Sequence, residues 1–423
     1  MNAMRIPFTL ALLIFQFVFP QAPYPTDTFR APLDIPLLLS GSFGELRSNH
    51  FHSGLDIKTQ QREGLPVYAI AGGHVNRIVV KHFGYGKALY IDHGNGYSSV
   101  YAHLQRFAPE IEAYVKKIQY EKELYEIELF PTPSELRLEK GQVIAYSGNS
   151  GGSGGPHLHF EIRDSKTEKP INPLLFGFDV KDTQAPGIET LLAYSLADST
   201  HVNQTNNPVQ INFTRQKDGT FLSDKIVAHG TIGFGINAFD RQDLSYNKNG
   251  LYSMEMSVNG TQHLGYSFET FSFSETMYIN TFIDYERLAS RKQHIQQLFV
   301  KPSNKLGIYG QRVNNGFIKV EDGMFYTVTI TLRDAANNTT VLSIPVEGKK
   351  LPLLKASETV KTSNYLVASR DNIYNIGNAN IYFPEGTFYD DFFIDLKQED
   401  STIIIHNNKV ARHKNYTLTF NVS

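Results

Sequence analysis

At 423 residues the chain exceeds one ordinary core, so two or three domains are expected. Hydrophobic residues make up 41% and charged residues 19%, a globular composition, and the net charge of -2 gives no basic field to recommend nucleic acid or an anionic membrane as partner. Cysteine is absent, which excludes disulfides, thiolate zinc sites, a cysteine nucleophile and lipid attachment at a lipobox cysteine.

The N-terminus reads as a secretory signal over residues 1–22. Arg5 leads into the apolar run Ile6 to Phe19, too short to span a bilayer well, with a cut expected near Gln21-Ala22-Pro23. An uncleaved anchor is the alternative; on either reading the body is exported to the periplasm or cell envelope. No further membrane segment is expected.

Residues 23–180 alternate apolar and polar positions, as in Val67-Tyr68-Ala69-Ile70, His74 to Val80 and Ala88-Leu89-Tyr90-Ile91. Tight turns fall at Gly72-Gly73, Gly84-Tyr85-Gly86 and Gly94-Asn95-Gly96, so a compact antiparallel β domain is expected. The 23 Tyr and 29 Phe of the chain also suit sheets. An insertion at about residues 108–138 breaks the pattern. Ile111, Tyr114, Val115, Ile118 and Tyr125 recur near helical spacing, which predicts a helix from Pro109 to Glu128. A short strand and the loop Pro131-Thr132-Pro133 follow, and the sheet resumes at Gly141 to Tyr146.

Near Asp182 to Gly187 the texture becomes that of a linker. Residues 181–350 read as an immunoglobulin-like β-sandwich, with strands at Ile232 to Asp240, Tyr326 to Asp334 and Val341 to Val346. Residues 351–423 hold a second β domain, with strands at Ile403-Ile404-Ile405 and Tyr416 to Phe420, and end on an alternating run as though incomplete. Neither C-terminal region displays a metal cluster or an aromatic platform in its sequence.

The chemistry sits in the first domain. His52-Ser53-Gly54-Leu55-Asp56 and Gly155-Pro156-His157-Leu158-His159-Phe160-Glu161 supply a His/Asp/His set able to hold one zinc ion with a coordination position left open. Residues two apart share a face of a strand, so His157 and His159 point the same way. Gly151, Gly152, Gly154 and Gly155 would leave room for a substrate backbone. His50 lacks the Gly54/Asp56 spacing and reads as a surface or supporting residue. His74, His82 and His93 read as structural, Tyr97 and Tyr101 as packed strand residues, and Glu161 as a partner of the ligands rather than a general base.

With Tyr101-Ala102-His103-Leu104 between them, these segments resemble the three motifs of lysostaphin/LytM-type zinc metallopeptidases, over roughly residues 40 to 175. The resemblance implies one zinc per chain held by His52, Asp56 and His159, with His103 and His157 as catalytic histidines. It implies hydrolysis of peptidoglycan peptide crosslinks by a zinc-activated water that the two histidines assist. Which histidine is the base stays open. Ala102 replaces a glycine often seen before the middle His, and the insertion could either flank the groove or merely decorate the fold. The rival function is a catalytically silent regulator of cell-wall amidases or envelope assembly, and a third is an adhesin served by the C-terminal sandwiches.

Overall fold

The computed structural model describes residues 24–197, 199–356 and 361–421. The expected signal, residues 1–22, lies outside these. Strands hold 42% of the chain and helices 9%, so the protein is mainly β.

Residues 39 to 171 build a twisted antiparallel sheet. Its strands run in the order Leu39–Gly41, Leu55–Lys58, His157–Asp164, Tyr97–Ala102, Lys87–Asp92, Gly73–Val80 and Ile127–Leu129. Period-two alternation decides the faces. Leu55, Ile57, Leu158, Phe160, Ile162 and Tyr101 point into the core and are fully buried. A three-stranded sheet of Pro66–Tyr68, Val143–Tyr146 and Arg106–Phe107 closes that core with Val67, Phe107, Ile144 and Ala145.

The insertion forms a helix over Pro109–Lys122, shorter than the sequence pattern predicts. Glu123 turns left-handed (φ 52°), and the chain then enters the strand Ile127–Leu129, where alternation buries Ile127 and Leu129. That strand pairs with Gly73–Val80 at the far edge, four strands from His157–Asp164, or roughly 20 Å at ordinary strand spacing. The insertion therefore extends the sheet on the side away from the histidines.

Residues 187 to 348 form a second set of strands. The 14-residue strand Ile226–Phe239 joins its parts: its start pairs in parallel with Thr339–Gly348, and its later portion pairs antiparallel with Gly187–Ser195. Phe325–Arg333 lies between Thr339–Gly348 and Ser253–Val258. Residues 364 to 420 fold into three small sheets around their own cluster of Leu366, Ile381, Phe383 and Ile394.

The first two sets of strands share one unbroken apolar core, from Phe29 through Val346. Phe43 and Phe51 of the first set meet Phe268, Phe271 and Phe282 of the second, with ring centroids 5.1–6.0 Å apart. Phe51 is 1% exposed and is the hub of this contact. Replacing Phe51 with Ala is expected to destabilise the protein by about 3–5 kcal/mol, read from urea or thermal unfolding, because the aromatic cluster cannot collapse onto the void.

Candidate metal centre

The site lies on the outer face of the first sheet, opposite the core. Along His157–Asp164 the alternation that buries Leu158, Phe160 and Ile162 sends His157, His159, Glu161 and Arg163 to this face. In register, Asp56 stands directly opposite His159 on one side and Ala102 on the other, one residue before His103. His52 arrives from the hairpin of Leu46–Arg47 and His50–Phe51. Gly54 is required between His52 and Asp56, because a Cβ there would lie 2.3 Å from the Phe160 carbonyl oxygen.

Three donor atoms converge. His159 Nδ1 lies 2.9 Å and His52 Nε2 3.0 Å from Asp56 Oδ1, and the two ring nitrogens are 3.0 Å apart. Tetrahedral zinc with bonds of about 2.0–2.1 Å would set neighbouring donors about 3.3 Å apart, so the triangle fits such an ion with a small expansion. Two imidazoles and one carboxylate are also the donor types zinc prefers. His103 and His157 flank the triangle. Their ring centroids are 4.8 Å apart, and His157 Nε2 is 3.5 Å from Asp56 Oδ1.

Each imidazole is aimed by an acceptor behind it. His52 Nδ1 is 2.8 Å from the Ser42 carbonyl, His103 Nδ1 2.8 Å from the Ser150 carbonyl, and His157 Nδ1 2.8 Å from the Gly155 carbonyl. A carbonyl only accepts, so in each ring the proton sits on Nδ1 and Nε2 is left for the site. His159 is turned the other way: Nε2 donates to Glu161 Oε1 at 2.8 Å, leaving Nδ1 for the site.

Glu161 is fully buried, and burial alone would raise its pKa. The Arg163 guanidinium (2.7 Å) and His159 outweigh that and hold the carboxyl well below the usual range. Ser53 Oγ donates to it at 2.8 Å, and the Tyr85 hydroxyl makes a short hydrogen bond to the same oxygen. Burial likewise opposes ionisation of Asp56, but the imidazoles of His157, His159 and His52 gathered at its carboxylate keep it strongly depressed. His159 is desolvated, which lowers its pKa, yet Asp56 and Glu161 raise it to about 9. His103 is lowered to about 4 by burial and by the neighbouring His159.

Beside the triangle runs a groove of about 660 Å³, lined by Arg47, Asp56, Lys58, Gly154, Gly155 and His157 among others. None of the 108–138 residues lines it among the described residues. The glycines divide. Gly154 and Gly155 face open space there, whereas Gly151, at φ 75°, packs against backbone, since its Cβ would meet Gly86 N at 2.3 Å.

His50 is exposed and bonds only the Ser48 carbonyl, while His93 is tied between Gly72 O and Ser99 Oγ, away from the site. Sequence reading missed Arg163, which holds Glu161, and two further participants. Arg47 Nη2 reaches Asp56 Oδ2 at 3.2 Å, steering the other oxygen inward, and Tyr85 stacks on His159 with centroids 5.1 Å apart. Tyr85 was legible only as part of a Gly-Tyr-Gly turn, and Arg47 carries no spacing signal at all.

Residues 50–120 and 133–173 match Peptidase family M23, and the break between them falls inside the insertion. The DD-carboxypeptidase/endopeptidase Mpg of Neisseria meningitidis serogroup B is 32% identical over 129 residues, 30% of this chain and 23% of that protein. The peptidoglycan DD-endopeptidase ShyB of Vibrio cholerae is 28% identical over 155 residues, 37% of this chain and 30% of that protein. The alignment thus spans about a quarter of the length of these curated relatives. The catalytic domain of lysostaphin from Staphylococcus simulans is 21% identical and aligns with 33% of this chain and 91% of that one, at a TM-score of 0.25.

Two outcomes follow from the charges. His159 holds a proton up to about pH 9, and a metal at Nδ1 must displace it. Rising pH therefore favours the metal, and apparent zinc affinity is expected to climb about tenfold per unit between about pH 7 and 8.5, measured by chelator competition. A flat profile would mean that His159 carries no proton for the metal to displace in this range. Glu161→Gln replaces the anionic acceptor behind His159 with a neutral amide oxygen and is expected to weaken zinc binding about 10–100-fold while circular dichroism stays unchanged.

Proposed function

Because residues 50–120 and 133–173 match Peptidase family M23, we propose that the chain is an exported zinc metalloendopeptidase that hydrolyses the peptide crosslinks of peptidoglycan. The observation that carries the reading is the convergence of His52, Asp56 and His159 donor atoms within 3.0 Å of their neighbours, with two further histidines facing the same point. One zinc per chain would be held by His52 Nε2, Asp56 Oδ1 and His159 Nδ1. Zinc bound there supplies Lewis acidity that polarises a substrate carbonyl and acidifies water.

The remaining chemistry belongs to the protein. His103 and His157 each keep Nδ1–H on a backbone carbonyl, so each offers Nε2 toward the space beside the triangle. His103, with Nδ1–H on the Ser150 carbonyl and Nε2 unprotonated, is placed to accept a proton from the attacking water. His157, at the mouth of the groove, is placed to hydrogen-bond the developing oxyanion or to protonate the leaving amine once Nε2 has also taken up a proton. Gly154 and Gly155 leave the groove wall without side chains, which admits a peptide backbone with small residues such as Gly or D-Ala. Lys58 on the same wall offers a cation to a substrate carboxylate, such as those of peptidoglycan stem peptides.

The test separates ligands from proton carriers. Purified wild type, His159→Ala, His103→Ala and His157→Ala are compared for zinc content and for release of crosslink fragments from peptidoglycan by mass spectrometry. His159→Ala is expected to lose both zinc and activity. His103→Ala and His157→Ala are expected to keep zinc and lose activity by about 10²–10⁴-fold. Zinc-loaded wild type that releases no fragments would transfer the assignment to the silent regulator of amidases.

A further inference from the structure

A second cluster of metal-type donors lies in the other strand set. Asp182 sits in the linker, Asp240 one residue past Ile226–Phe239, and Asp334 one residue past Phe325–Arg333. One carboxylate oxygen from each lies within 4.8 Å of the others. Asp240 and Asp334 are 4% and 1% exposed. Among the described residues no Lys, Arg or His pairs with any of the three, and the adjacent Lys181 bonds Asp179 instead.

Three carboxylates this close, Asp240 and Asp334 buried and Asp182 half-buried, repel one another unless something positive lies between them. Burial first, and then the neighbouring carboxylates, push Asp240 upward, and Asp182 and Asp334 shift the same way. A separate sign comes from orphaned atoms. Asp240 Oδ1 is buried without a hydrogen-bond partner. Asn249 exchanges both backbone hydrogen bonds with Asp240, at 2.9 Å each, which places the two side chains on one face. Asn249 is 3% exposed, and neither its Oδ1 nor its Nδ2 has a partner. The buried carboxamide oxygen of Asn249, without a protein partner and on the same face as Asp240, is a further oxygen donor at this cluster.

We propose that Asp182, Asp240, Asp334 and Asn249 form a binding site for one divalent cation of the calcium type. Every donor is an oxygen, with no imidazole or thiolate, which selects a hard cation over zinc. Carboxylates and a carboxamide drawn from three loops suit the larger, less demanding coordination of calcium over the strict octahedron of magnesium. The cation ties the linker to the loop 241–248, which reaches the peptidase sheet. Ser245 Oγ donates to the Leu39 carbonyl at 3.2 Å, and Gly250 N–H donates to Ser42 Oγ at 2.9 Å. This site stands independently of the hydrolase reading.

The test uses the full chain, freed of other metals and then saturated with zinc so that the histidine site is filled. Titration with calcium chloride by calorimetry is expected to give a one-to-one endpoint with a dissociation constant in the range of roughly 10⁻⁶–10⁻³ M, and to raise the melting temperature. Magnesium is expected to bind at least about tenfold more weakly. Asp240→Asn and Asp334→Asn are expected to lose at least about tenfold in calcium affinity, together with the thermal shift, while Asp179→Asn in the same linker keeps both. Absence of binding to wild type at about 10 mM calcium would mean that the carboxylates share protons instead, and would overturn the proposal. So would equal binding of magnesium, or unchanged calcium affinity in both variants. The wild-type titration decides the matter even if a variant does not fold.

Discussion

A fully buried carboxylate, Glu161, is the point on which the candidate centre turns. Taken out of water it would be costly, and it survives as an anion because Arg163, His159, Ser53 and Tyr85 all surround it. In return it fixes the ring of His159, and through that ring the triangle with His52 and Asp56. The strand that carries it has one face in the apolar core and the other in the site. Slipping that strand by one position would put histidines into the core and leucine beside the groove, so the register is enforced by both faces at once.

Polarity around the triangle follows one scheme with one exception. Three histidines give their Nδ1 proton to a main-chain carbonyl, a fixed partner that side-chain substitution cannot remove. Only His159 gives its proton to a side chain. Asp56 and Glu161 are each met by a guanidinium, Arg47 and Arg163, so both carboxylates stay ionised beside the imidazoles.

Much of this was legible in the chain. The ordered fragments around His52, His103 and His157 marked the residues that converge, and alternation gave the strands that carry them. Supporting groups were not legible where they act through tertiary contact. Arg47, in a two-residue strand, and Tyr85, in a turn, meet the site from segments too short to show periodicity. Asp182, Asp240 and Asp334 come from three distant segments with no spacing rule, so the region that reads as plain sandwich holds a second set of convergent oxygens. The helix end was over-read for a local reason: Glu123 adopts a left-handed conformation without the glycine that usually announces it, and Leu124 and Tyr125 are apolar yet exposed. The placing of the insertion at the far sheet edge depends on pairing between Ile127–Leu129 and Gly73–Val80, which no short window reveals.

Ser42 has a double allegiance. Its carbonyl oxygen receives the Nδ1 proton of His52, while its hydroxyl receives the N–H of Gly250 from the neighbouring strand set. The histidine is thus propped by a residue that is itself braced from outside its own sheet. Evolutionary shuffling or laboratory grafting that moves residues 24–180 onto a new companion would strip away that brace, so this enzyme-like unit is not a freely transplantable cassette.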